Sequence, residues 1–161
     1  MTTAEYNQCV DEHADSVYRF ILKNMRDEED ARDVVQDSFE KMWKNVASID
    51  GKKAKSYLFT TAYHTMIDKI RKNKKMSSFT EVTEESLFHS EQYSDLKQVL
   101  NTAINLLPDS QKAVITLRDL EGYNYDEISE ITGLSSSQVK VYIYRARVFL
   151  KQYIGDLERV L

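Results

Sequence analysis

Between Asn124 and Leu150 the chain places two short apolar-periodic runs around a glycine, and the second run carries its hydrogen-bond donors on one side. Ile128 and Ile131 give the first run an inward edge. Gly133 supplies a position that can take a positive φ, and Ser135 with Gln138 has the S-x-x-Q spacing of a capping box. Val139, Ile143, Ala146 and Leu150 then recur at helical spacing and are expected to face a core, which leaves Lys140, Tyr144, Arg145 and Arg147 outside. Two helices joined by a tight turn, the second holding cations and an aromatic on its outer face, make a helix-turn-helix signature. Such a face suits the major groove of DNA, where Arg and Lys reach phosphates or guanine edges. A solvated basic face on an ordinary helical hairpin would give the same local pattern, so this segment alone leaves both open.

A second constellation lies between Gly51 and Lys75, where eight cations share a loop and a helix with Tyr57, Phe59, Tyr63 and His64. Cations that follow phosphates, interleaved with rings that stack on unpaired bases, are what single-stranded nucleic acid requires. Lys52, Lys53, Lys55, Arg71 and Lys72 are expected at phosphates and Phe59 in the core, while Tyr57 and Tyr63 could serve either end. A third constellation is acidic. Asp33, Gln36, Asp37 and Glu40 repeat at three and four residues along one helix face, beside Phe39 and Trp43. Paired carboxylates can do acid–base work, but no histidine, cleft or metal partner accompanies these. An acidic stripe next to a large aromatic fits a basic protein surface better. The single Cys9 excludes an internal disulfide, and His13, His64 and His89 form no ligand spacing, so neither a metal nor a cofactor is expected.

The elements that must hold these groups are helical. Four Gly and one Pro in 161 residues leave little punctuation for a multi-stranded sheet, and 42% apolar content can fill one core or two small ones. Periodicity predicts a helix near residues 4–25 on Val10, Ala14, Val17, Ile21 and Met25. A second is predicted from the acidic run at 27–30 to about Val46, and a third from about Ser56 to Lys72. Further helices are expected over 96–107, ended by Pro108, and over 110–120, capped by Asp109 and closed at Gly122. The charge is segregated: residues 1–50 hold 6 basic and 12 acidic side chains, 51–75 hold 8 and 1, 76–95 hold 0 and 5, and the remainder 8 and 8. A formal net charge of −4 therefore conceals surfaces suited to different partners. The expected organisation is all-α with two small domains, 1–75 and 96–161, joined by an acidic linker over 76–95 in which Phe79, Val82, Leu87 and Phe88 could dock on a neighbouring surface. No apolar run approaches the roughly 20 residues of a membrane span, and the acidic N-terminus lacks a signal-peptide core, so a cytoplasmic setting is the expectation.

These residues carry a family resemblance. DARDVVQDSFEKMW, from Asp30 to Trp43, matches the pattern D-x-x-Q-[DE]-x-F-x-x-x-W of region 2 of bacterial sigma factors at Asp33, Gln36, Asp37, Phe39 and Trp43. KSYLFTTAYHTMIDKIRKNKK resembles the rest of that region, and LPDSQKAVITLRDLEGYNYDEISEITGLSSSQVKVYIYRARVFLK resembles region 4. With nothing resembling regions 1.1 or 3, the chain is most similar to the small extracytoplasmic-function (ECF) group.

The resemblance implies a three-helix region 2 and a helix-turn-helix region 4, no catalysis and no small-molecule substrate. Its implied partners are core RNA polymerase, through the β′ clamp helices and the β flap, and promoter DNA, with room for an anti-sigma factor. Asp33, Gln36 and Asp37, with Glu40 on the same stripe, would grip the clamp helices. The loop around Ser48 to Lys55 and the third helix would hold the promoter minus-10 element, a base flipping toward that loop. Lys140, Val141, Tyr144 and Arg145, flanked by Gln138 and Arg147, would meet the minus-35 element. Tyr57 stands where Trp is common and Lys140-Val141 where Arg-Ser is common, which leaves the promoter sequence unspecified. The rival from another class is a stand-alone helix-turn-helix regulator whose residues 1–75 sense a signal or dimerise.

Overall fold

The computed structural model describes residues 1–77 and 96–160, and every regular element among them is helical. Helix α1 (Thr3–Met25) starts at Thr2, whose hydroxyl accepts from Glu5 N at 3.1 Å. It stops at Arg26, which adopts the left-handed conformation (φ 62°) and returns its N–H to Leu22 O. Asp27 then caps α2 (Glu28–Lys44) by accepting from Asp30 N at 2.9 Å, and Glu28, Glu29 and Asp30 face the positive end of the dipole as expected. Two single-turn 3₁₀ pieces, Val46–Ser48 and Gly51–Lys53, form the connection to α3 (Ala54–Ser77). Helix α3 runs past the expected end at Lys72, because Asn73 donates to Asp30 and Lys74 pairs with Asp109, which anchors the extra turn.

The three helices bury Val17, Phe20, Ile21, Ala31, Val34, Met42, Leu58, Phe59, Ala62 and Met66. Periodicity identified Val17 and Ile21 on α1, but Val10, Ala14 and Met25 are only half-buried, while Cys9, Phe20 and Asn24 join the buried face. A single amphipathic stripe assumes one partner surface, and α1 has two.

The C-terminal half comprises α4 (Leu96–Asn105), α5 (Asp109–Ile115), α6 (Tyr125–Thr132) and α7 (Ser136–Val160). Asp109 does not cap α5. Pro108, with φ fixed near −56°, takes the capping position, and Asp109 enters the first turn with its carboxylate turned to Lys74 of α3. Beyond Ile115 the helix widens over Thr116–Leu120, where Glu121 N reaches back five residues to Thr116 O at 3.1 Å. Gly122 (φ 77°) ends it, as its position suggested. Helix α7 continues to Val160, ten residues beyond the periodic stripe ending at Leu150. Most of the acidic linker, with Phe79, Val82, Leu87 and Phe88, lies outside the described residues.

The two halves share one core. Phe20 meets Phe59 at 5.8 Å, and Phe59 meets Tyr123 edge-on at 5.3 Å, so apolar contact runs from α1 through α3 into the turn before α6. Within that seam Asn24 Nδ2 donates to Phe20 O at 2.9 Å and to Thr116 Oγ1 at 3.0 Å, while Thr116 Oγ1 donates to Lys112 O at 2.8 Å. Lys112 Nζ lies 3.4 Å from Asn24 O. Burial holds the Lys112 ammonium below the ordinary lysine range; Asp109 opposes that shift, and Arg26 and Lys74 add to it. Around the rim, Arg19 pairs with Glu121 at 3.3 Å and Lys23 Nζ donates to Asn101 Oδ1 at 2.7 Å. Rim pairs of this kind contribute about 0–1 kcal/mol each, so the buried amide decides more than they do. Asn24→Ala is expected to lower the unfolding free energy by about 1–3 kcal/mol, because it deletes a buried donor with two partners and leaves a cavity. Urea denaturation measures this, and a loss below about 0.5 kcal/mol would mean that the amide does not join the halves.

Candidate nucleic-acid interface

Both helices of the α6–α7 unit begin with reciprocal side-chain bonds. Asn124 Oδ1 accepts from Glu127 N at 2.8 Å while Glu127 Oε1 accepts from Asn124 N at 3.0 Å, a capping box that opens α6. Gly133 takes φ 77° and donates its N–H to Ser129 O, and Ser129 Oγ donates to Leu134 O at 2.6 Å. The second box is the one that the S-x-x-Q spacing foretold: Ser135 Oγ accepts from Gln138 N at 3.1 Å, and Gln138 Oε1 accepts from Ser135 N at 2.9 Å. The Ser129–Leu134 bond and the Ser135–Gln138 box together hold the turn between α6 and α7.

Val139, Ile143 and Ala146 seat α7 on the core, fully buried as their spacing predicted, and Leu150 is half-buried. The opposite face presents Gln138, Lys140, Val141, Tyr144, Arg145 and Arg147, all exposed, with Tyr144 69% exposed at its centre. Val141 and Val148 add apolar patches to that face. Rings and methyls left in water beside two or three cations suit base edges and thymine methyls in a groove. Arg147 is held by Asp119 at 2.8 Å, and that hydrogen bond pushes its pKa further up. A phosphate that engages Arg147 must displace or share Asp119.

On the N-terminal half, Asp50 accepts from Lys52 N at 3.0 Å and so shapes the loop that lifts Lys52 and Lys53 into solvent. Lys55, Arg71 and Lys72 are exposed along α3, and Tyr57 is half-buried. Tyr63 is 7% exposed, edge-on to His64 at 5.2 Å, and faces the C-terminal half. Burial pushes its phenol pKa up; Arg71 opposes the shift and Asp109 adds to it. Lys55 Nζ sits 5.0 Å from the ring centroid of Tyr123. A cleft of about 430 Å³ runs between the halves, lined by Tyr63, His64, Arg71, Lys74, Ser110 and Thr132. The basic block is therefore split: its loop and far end are open, and its middle is covered.

The acidic stripe of α2 emerges as a ridge. Asp33, Gln36, Asp37 and Glu40 are all exposed. Lys69 of α3 fastens its base, 3.6 Å from Asp30 and 3.4 Å from Asp33. Burial weakens the Lys69 charge, but the hydrogen bond to Asp33 and the fields of Asp30 and Asp33 outweigh it and raise its pKa. Glu40 pairs with Lys44 at 3.3 Å. Trp43 is 46% exposed at the end of the ridge, braced by the Tyr6 ring at 5.0 Å, and Tyr6 Oη donates to Phe39 O at 3.1 Å. Among the described residues no group of His, Cys, Asp and Glu could hold a metal ion, and no helix is long and apolar enough to cross a membrane. Sequence reasoning missed Tyr6, Lys69 and Tyr123. The signal for the last was present in the repeat of Lys55, Phe59 and Tyr63 every four residues on α3, a stripe that needs a cover.

Known proteins resemble the chain over nearly its whole length. The family profile of Sigma-70 region 2 matches residues 9–76, and that of Sigma-70, region 4 matches residues 97–150. ECF RNA polymerase sigma factor SigM of Bacillus subtilis is 33% identical over 144 residues, covering 86% of this chain and 88% of SigM. RNA polymerase sigma factor SigV of the same organism is 32% identical over 139 residues, covering 86% and 84%. Among solved structures, the sigma factor RpoE from Bartonella quintana, crystallised with the anti-sigma factor NepR, shares the fold with a TM-score of 0.76 at 24% identity, over 93% of this chain and 96% of that one. CnrH in complex with the cytosolic domain of CnrY does so with a TM-score of 0.68 at 22% identity, over 94% and 88%.

Proposed function

The chain belongs to the ECF sigma factors of bacterial RNA polymerase, and we propose that it directs promoter-specific initiation by docking its α2 ridge on the core enzyme and holding promoter DNA with α3 and α7. Asp33, Gln36, Asp37 and Glu40 meet the β′ clamp helices. Lys52, Lys53, Lys55, Tyr57, Tyr63, Arg71 and Lys72 serve the minus-10 strand, Tyr63 only after the C-terminal half has moved off α3. Gln138, Lys140, Val141, Tyr144, Arg145 and Arg147 face the minus-35 duplex, and the C-terminal half also meets the β flap. The chain supplies no catalytic group and works in the cytoplasm, where polymerase and promoter are. An anti-sigma factor, the class of protein with which the sigma factor RpoE was crystallised, completes the proposed partners.

The observation that carries this proposal is the outer face of α7, where Tyr144, Arg145, Lys140 and Val141 stand in water on a helix whose other face is fully seated. A stand-alone regulator would leave the acidic ridge and the exposed Trp43 without an occupant. Two small domains that bind weakly alone become selective once polymerase fixes their spacing, because the second contact is then effectively intramolecular.

Run-off transcription with purified core enzyme tests the whole: specific transcripts are expected only when the protein is added, and their absence from every promoter tried would overturn it. Asp37→Lys is expected to weaken core binding by more than about 1 kcal/mol through charge reversal on the ridge, and an unchanged titration would remove Asp37 from that contact. Arg145→Ala is expected to cost about 1–3 kcal/mol in holoenzyme binding to upstream duplex if the guanidinium reads a base. Equal transcription from all promoters after that change would count against the α7 assignment. If about four cations of residues 52–75 meet single-stranded phosphates, the log–log salt slope should lie near −3. A flat salt response would show that α3 does not follow a phosphate backbone.

A further inference from the structure

Tyr123 belongs to the C-terminal half by its backbone and to the N-terminal half by its ring. Its N–H is held by Leu117 O at 3.1 Å, and its carbonyl accepts from Arg118 Nη1 at 3.0 Å. Its side chain crosses the seam to lie edge-on to Phe59 at 5.3 Å, with Lys55 Nζ 5.0 Å from the ring centroid. A planar ring held by an aromatic neighbour, with a cation over its face, is also how a protein grips an unpaired base and the charge that follows it. We propose that the Lys55–Phe59 stripe of α3 is a binding site for one unpaired base of the promoter strand, held edge-on to Phe59 with Lys55 over its face, and that Tyr123 occupies this site in the closed chain as an internal substitute for the base. Strand binding and closure of the two halves then compete for one site. This rests on the assignment of α3 to the single-stranded promoter region.

The Tyr123 hydroxyl shows why such a plug can be displaced. It is the one buried side-chain polar atom among the described residues with no hydrogen-bond partner, although the residue is only 5% exposed. Closure therefore costs a hydrogen bond that water restores on opening. A phenylalanine would fill the same space without that cost, so the tyrosine sets closure below the strength that the seam could reach. The Arg19–Glu121 pair at 3.3 Å, two residues before Tyr123, supplies part of the compensating attraction.

Full-length protein with one dye on α2 and another near the end of α7 reports closure by energy transfer. Anisotropy of a labelled single-stranded 12-mer of thymidine at low salt reports strand binding. Tyr123→Phe keeps the ring and the packing and is expected to raise the closed fraction and weaken binding of the oligonucleotide about fivefold, the low end of what an unmade buried hydrogen bond is worth. Glu121→Arg sets like charges against Arg19 and is expected to do the reverse, opening the halves and strengthening binding. If the two variants leave closure unchanged, or change it with no opposite change in oligonucleotide affinity, the shared site is overturned. Lys52→Ala combined with Arg71→Ala separates the two levels of failure. Should this double variant weaken binding while the Tyr123 and Glu121 variants do not, only the plug is wrong. Should it too bind the oligonucleotide like the parent chain, α3 is not the strand-binding helix, and the functional assignment beneath the plug falls with it.

Discussion

A buried seam between α3 and the segment from Thr116 to Tyr123 governs what the molecule shows to its surroundings. Each half alone is small enough that a large fraction of its chain surface would stay wet, and joining Phe20, Phe59 and Tyr123 into one apolar path adds burial that neither half can reach by itself. The polar groups inside the seam give it one geometry. Asn24 cannot leave Thr116 without stranding a donor in a dry environment, so sliding or rotated arrangements of the halves are penalised while the observed one is not. At the rim, the ion pairs of Arg19 with Glu121 and Lys74 with Asp109 add attraction that salt screens. An apolar centre, a polar latch and a screened rim together make a joint that is specific without being permanent.

The seam also explains how one chain keeps opposite charges apart. Residues 51–75 carry eight cations against one acid, and the ridge of α2 carries its carboxylates on a neighbouring helix. Lys69 neutralises the base of the ridge by reaching Asp30 and Asp33, which leaves Gln36 and Asp37 as the part that projects. On α7 the pairing of Arg147 with Asp119 does the same for one end of the basic face, while Lys140 and Arg145 remain exposed. Each charged surface thus has an anchored edge and an open centre, and the open centres point to different partners. Under the proposed assignment, that separation lets the core enzyme be held by one surface while DNA meets the others.

Much of this could be read in advance, and unevenly. The α6–α7 unit was legible almost residue by residue: Gly133 adopts its positive φ, Ser135 and Gln138 form their box, and Val139, Ile143 and Ala146 are buried. On α2 the exposure of Asp33, Gln36, Asp37 and Glu40 followed from a simple period, because that helix buries one face only. Several of the misjudged places touch the seam. Asp109 was expected as a cap and instead pairs with Lys74; α3 was expected to stop at Lys72 and is carried on by Asn73 and Lys74; Asn24, polar and unremarked, is buried. Tyr63 could have stacked on a base or packed inside, and in the closed chain it is packed.

The sequence by itself determined most of the helices, the Ser135–Gln138 capping box, the turn of the helix-turn-helix unit and the segregation of charge, since those depend on partners within about four residues, which a short window contains. The tertiary structure alone decided which aromatic lies over which cation, which face of α3 is covered and where the halves lock. Those outcomes join Asn24 to Thr116 across 92 positions and Lys74 to Asp109 across 35, and hydrophobic burial, being non-directional, selects among such distant pairings only when the whole chain is assembled.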